Sequence, residues 1–128
     1  MLMKNYFWFV CSLVWAGLIV FLSFFNPTSE GGELWFENQD KIGHFVFYAV
    51  LSMLLIKSFS KEISIQKPMN TGALISLVFG VLIELGQHFF TDDRVGDLID
   101  VLANGSGILL MVVLIKTFPK YFRYKSMV

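Results

Sequence analysis

Apolar residues fall into four long runs separated by short polar connections. The first, 6–25, carries no charge and ends at Asn26-Pro27. The second, 42–59, is apolar apart from His44, Tyr48, two serines and Lys57 near its end. The third, 72–90, is interrupted by Glu84, Gln87 and His88, and the fourth, 97–118, by Asp97, Asp100, Asn104 and Lys116 before Pro119. Each run is close to the ~20 residues that cross ~30 Å of hydrocarbon at ~1.5 Å per residue. The pattern predicts an all-α, polytopic membrane protein: a bundle of four transmembrane helices forming one domain over 1–128.

Composition strengthens that reading. Hydrophobic residues make up 55% of the 128 and the mean hydropathy is +0.65, whereas soluble domains hold roughly 45–50% apolar residues even with glycine counted. A soluble core of this size could not bury so much. The first run is longer than the apolar part of a cleaved leader, ~7–15 residues, and Ser23-Phe24-Phe25-Asn26 is a poor cleavage site, so it reads as a retained span.

Zero net charge conceals a split. Glu30, Glu33, Glu37 and Asp40 face the single base Lys41 in the first connection, and Asp92, Asp93, Arg94 and Asp97 occupy the third. Lys4, the second connection with Lys57, Lys61 and Lys67 against Glu62, and the tail with Lys116, Lys120, Arg123 and Lys125 are basic. Short cytoplasmic segments collect Lys and Arg, so both termini and the middle connection are expected in the cytoplasm. Attraction to the membrane surface accounts for these bases, and no basic-aromatic pattern points to nucleic acid.

With that topology the polar positions gather near one leaflet. Asp40, His44 and Tyr48 are spaced i, i+4, i+8; Glu84, Gln87 and His88 i, i+3, i+4; Asp97, Asp100 and Asn104 i, i+3, i+7. Each set lies along one face of a helix. Counting ~1.5 Å per residue, Glu84 lies ~9 Å below the end of its run and Asn104 ~12 Å below Gly96. The expected outward-facing polar pocket is therefore built from Asp40, Lys41, His44, Tyr48, Glu84, Gln87, Arg94, Asp97, Asp100 and Asn104. Gly80, Gly105 and Gly107, with Ala103 and Ser106, are expected to let the third and fourth helices approach closely. The first helix reads as lipid-facing scaffold, and Trp35 with Phe36 as an interfacial anchor.

These residues resemble the VanZ-like family of bacterial membrane proteins, named for a protein of teicoplanin resistance. The shared signature is D-K-x-x-H-F-x-x-Y-x-x-L (Asp40, Lys41, His44, Phe45, Tyr48, Leu51), then E-x-x-Q-x-F (Glu84, Gln87, Phe89), then R-x-x-D-x-x-D-x-x-x-N-x-x-G (Arg94, Asp97, Asp100, Asn104, Gly107). It covers roughly Asp40 to Leu114 with order and spacing retained; His88, directly after Gln87, is an addition. The resemblance implies a small multi-pass protein of the bacterial cytoplasmic membrane, often associated with resistance to glycopeptide or lipoglycopeptide antibiotics.

The chemistry stays open between classes. Carrying a charged side chain into hydrocarbon costs ~2.5–3.5 kcal/mol on insertion scales, so Glu84 and Asp100 point to a site or a required network. Arg94 and the acids around it read equally well as solvated surface charge, and Gln87 and Asn104 as glue between helices worth ~0.6 kcal/mol each. The first function class is a protein that binds a lipid-linked cell-wall intermediate, a phospholipid head group or an amphiphilic antibiotic. In it Lys41 and Arg94 meet anionic groups, and Asp97, Asp100 and Asn104 orient hydroxyls, amides or cations. The second is a small membrane enzyme with Glu84 or His44 as general base, and a proton- or metal-coupled transporter is third. No activated nucleophile is visible, which favours binding. Cys11 stands alone, excluding an intrachain disulfide or a CxxC pair. Dense metal-ligand motifs are missing, so no metal and no cofactor are expected. Membrane lipids are the expected partners, and a homo-oligomer is left open.

Overall fold

The computed structural model describes residues 5–25, 39–90 and 98–125. Within them the chain is all-helical: α1 (Phe7–Phe25), α2 (Gln39–Ser58), α3 (Pro68–Phe90) and α4 (Leu98–Thr117). All four are long and apolar enough to cross a membrane. Large hydrophobic side chains such as Val14, Phe21, Leu74, Leu82, Leu102 and Leu109 lie exposed along them. Apolar surface on this scale is not left facing water and is the surface a bilayer covers. The molecule is a multi-pass membrane protein.

Two helices begin earlier than hydropathy suggests. α2 starts at Gln39 rather than near 42, because Gln39-Asp40-Lys41 is a polar first turn. α3 starts at Pro68 rather than near 72, since proline presets the helical φ and gives up an N–H that would have had no partner. The Lys67 carbonyl accepts the Thr71 N–H at 3.0 Å, closing that first turn. α4 ends before Pro119, whose ring cannot continue the ladder, and residues 119–123 fold into a turn closed by Tyr124 N–H on the Pro119 carbonyl at 2.9 Å.

α2 does not stop at Ser58. It runs on through a π-helical segment, Phe59–Ile63, and is closed by Ser64 in the left-handed conformation (φ 61°). That segment swings Glu62 back into the protein, where it is buried, and its two carboxylate oxygens accept the backbone N–H groups of Trp8 and Phe9 at 2.7 and 2.8 Å. These are among the four N–H groups that a helix start leaves without partners. The start of α1 is thus capped by a carboxylate 53 and 54 residues away. Lys57 and Lys61 lie over the Trp8 ring at 4.3 and 5.7 Å.

α2 is the central element, packed on α1, α3 and α4. The helices alternate in direction: Trp8 meets the end of α2, and Met69 at the start of α3 packs with Ile56 and Ile115 near the ends of α2 and α4. A second cluster, Ile19, Tyr48, Leu51 and Ile108, joins α1, α2 and α4. α2 and α4 therefore run parallel, and their pairing is the most extensive in the fold. At its tightest point a Cβ on Gly107 would overlap the Phe45 carbonyl, so only glycine fits. Gly107 thus serves the contact of α4 with α2, not the contact with α3 expected from its sequence. Gly105 makes only ordinary contact with Leu77 of α3.

Candidate functional site

The start of α2, the end of α3 and the start of α4 come together at one end of the bundle. Counted from those helix ends, His44, Glu84 and Asn104 lie ~8–9 Å in at ~1.5 Å per residue. The three helices present their polar residues at one depth, with Asp100 a turn nearer the end.

His44 is the hub. Its Nδ1 is 3.0 Å from Asn104 Oδ1 and 3.7 Å from Glu84 Oε1, while Nε2 is 3.7 Å from Asp100 Oδ2. Lys41 Nζ lies 3.6 Å from Asp100 Oδ1 and 3.1 Å from Asp40 Oδ2. Side-chain exposure falls from 50% at Asp40 and 28% at Lys41, through 20% at His44 and 14% at Asp100, to 6% at Glu84. The cluster is a polar funnel, more exposed toward the helix ends and closed inside the bundle.

Tyr48 and Asn104 form its floor, both essentially inaccessible. A Cβ on Gly80 would come within 2.9 Å of both Asn104 Nδ2 and the Tyr48 ring, so glycine makes the space they share. The Tyr48 hydroxyl and Asn104 Nδ2 have no hydrogen-bond partner among the described residues. An asparagine carbonyl can only accept, so the 3.0 Å contact places the proton of a neutral His44 on Nδ1. The Nε2 lone pair then faces Asp100.

Of the residues expected in the pocket, Asp40, Lys41, His44, Tyr48, Glu84, Asp100 and Asn104 gather here. Arg94 and Asp97 lie outside the described residues. Gln87 has a further attachment: its Nε2 donates to the Ser23 carbonyl of α1 at 3.0 Å. Helix one is consequently tied to the bundle at both ends, by Ser23 and by the Glu62 cap, and along its length by Trp15, whose indole donates to the Phe47 carbonyl at 2.9 Å. It faces lipid with Val10, Leu13, Val14 and Phe21 as expected. His88 is exposed, its ring edge-on to Phe89.

Sequence reasoning counted Glu62 only as a counter-charge in a basic connection. An acid alone among lysines was the available signal, but its partners are backbone groups, which leave no trace in side-chain patterns. The other end of the bundle holds a cavity of about 430 Å³ lined by Lys67, Asn70, Lys116 and Tyr124 among others. Burial raises the Tyr124 phenol above its usual range, with a backbone hydrogen bond from Met69 acting weakly against it.

The funnel offers hydrogen-bond acceptors, one ammonium and an imidazole set between two carboxylates. The hydroxyls of Ser52 and Ser76 on the same helices are engaged by the Ala49 and Gly72 carbonyls of their own helices. No curated protein and no solved structure matches the chain. The family model described as VanZ/LLP1 matches residues 6–119, nearly the whole four-helix bundle with its polar funnel, and the chain belongs to that family.

Proposed function

We propose that the funnel binds the polar head of a lipid-linked cell-envelope molecule at the outer leaflet of a bacterial cytoplasmic membrane, with both termini cytoplasmic. The observation that carries this reading is the exposure gradient from Lys41 to Glu84, set between helices whose outer faces are apolar. A ligand with an acyl chain can keep its tail in lipid while its head enters between α2, α3 and α4. Lys41 supplies a cation for a phosphate or carboxylate, and Asp100 and Asn104 supply partners for hydroxyls and amides. Protection against lipid-tailed glycopeptides, which the family resemblance implies, would follow from holding either the drug or its lipid-linked target.

The test is binding of lipid-linked pyrophosphate to the purified protein in nanodiscs, followed by susceptibility of a sensitive host to a matched pair of glycopeptides with and without a lipid tail. Lys41→Gln and Asn104→Leu should weaken binding and shrink any selective shift for the tailed drug, at equal membrane levels. Equal binding by wild type and both variants would refute the site. An enzymatic reading keeps one supporting observation, the imidazole between two carboxylates; conversion of the bound lipid by wild type but not by His44→Gln would establish it.

A further inference from the structure

We infer that His44, Glu84 and Asp100 form a binding site for one divalent transition-series cation. One ligand atom from each residue lies within 4.8 Å of the others. The three come from three different helices, so the fold assembles a donor set that no local motif announces. Two ligands held ~2.1 Å from a common ion at a tetrahedral angle of ~109° are ~3.4 Å apart. Nε2 of His44 and Oδ2 of Asp100 are separated by 3.7 Å, too far for a hydrogen bond and near the span that a shared ion sets.

A second observation fixes which nitrogen serves. The Asn104 carbonyl can only accept, so in the neutral form of His44 the proton sits on Nδ1 and Nε2 is left as the lone-pair donor toward Asp100. A lone pair and an anionic oxygen repel; a metal cation between them, like a proton on Nε2, reverses the sign. Orienting a ligand histidine through its other ring nitrogen is how proteins set the tautomer at metal centres. Among the described residues the inaccessible Tyr48 hydroxyl and Asn104 Nδ2 at the floor are donors without acceptors, and the oxygen of a cation-bound water is an acceptor. One imidazole with two carboxylates favours Zn²⁺ or Mn²⁺ over Mg²⁺ and Ca²⁺, which prefer all-oxygen sets. Three protein ligands leave a coordination position open for water or an anionic ligand oxygen. Charge supports this, since the two carboxylates balance the ion while Lys41 is balanced by Asp40 at the mouth of the funnel.

The cation site shares side chains with the proposed head-group site but does not rest on it, and it is tested with metal alone. Full-length protein in detergent, stripped with chelator and then freed of it, should bind Zn²⁺ saturably at one ion per chain by calorimetry, with excess Mg²⁺ failing to displace it. His44→Gln and Asp100→Asn should abolish saturable binding, while Asn104→Leu, which only positions His44, should weaken it ~10–100-fold. His88→Gln should leave it unchanged. In nitrogen-15 histidine spectra of the otherwise wild-type His88→Gln protein, Zn²⁺ should move Nε2 of His44 while Nδ1 keeps its proton, a readout independent of how the ligand variants fold. Absence of one-to-one binding, binding that survives His44→Gln, or a His44 ring unchanged by Zn²⁺ would each overturn the inference. None of these results would touch lipid binding measured in chelator.

Discussion

Replacing Glu62 by alanine removes a cap that the first helix borrows from a distant part of the chain. Two charge-assisted bonds of 2.7 and 2.8 Å disappear together, and the N–H groups of Trp8 and Phe9 lose their acceptors at a part-buried position. Each hydrogen bond to a charged group is worth ~1.5–3 kcal/mol, and leaving its partner unsatisfied carries a similar penalty. Ordinary cap deletions cost ~0.5–2 kcal/mol because water reaches the freed groups. With two bonds lost and access only from the rim, the expected destabilisation is ~2–4 kcal/mol. Glu62→Gln keeps one accepting oxygen without the charge and should cost roughly half as much. Reversible denaturation in mixed micelles, followed by the fluorescence of Trp8 against a Trp15→Phe, Trp35→Phe background, gives the free energy. Faster hydrogen exchange confined to the Trp8 and Phe9 amides would locate it. A Glu62→Ala protein within ~0.5 kcal/mol of its parent, the range of ordinary surface substitutions, would refute the reasoning.

Gly107→Ala should destabilise the bundle by ~1–3 kcal/mol or more, because its Cβ meets the Phe45 backbone rather than a movable side chain; Gly105→Ala, facing only Leu77 at 3.9 Å, is the control and should be near neutral in the same denaturation assay. Ser64→Gly should stabilise by up to ~1 kcal/mol, since φ 61° costs any residue with a Cβ; an unchanged or lowered midpoint would count against that conformation. Trp15→Phe should cost ~0.5–1.5 kcal/mol through loss of the bond to the Phe47 carbonyl, checked by its denaturation midpoint. In a Cys11→Ala background, Asp40→Cys should react with an impermeant maleimide from outside the cell and Ser64→Cys only after permeabilisation; equal labelling would reject the orientation set by the basic segments.

The four spans were legible because hydrophobic run length is a one-dimensional property that the bilayer reads directly. Most of the funnel was legible for a related reason: His44, Glu84 and Asp100 are costly in hydrocarbon, and helical spacing says which face carries them. Neighbour relations were not. Nothing in hydropathy states that α4 lies beside α2, and Gly107 showed that a helix comes close without showing which one. The π-helical segment at Phe59–Ile63 was hidden as well, since its composition matches that of an α-helix ending. Glu62 and Gln87 reach the backbone of Trp8, Phe9 and Ser23, whose residue types carry no sign of the contact.

The parallel pairing of α2 with α4 bears on how the protein is made. Synthesis delivers α3 before α4, so Glu84 enters the bilayer when His44 is already there but Asp100 and Asn104 are not. A lone carboxylate in a span costs ~2.5–3.5 kcal/mol, which the many large apolar side chains of α3 offset. The intermediate ending after α3 is therefore insertable yet unfinished, with the Phe45 surface that Gly107 will cover still facing lipid. Only the arrival of α4 closes the polar cluster, and a chain truncated before Leu98 should persist in the membrane as a target for quality-control proteases.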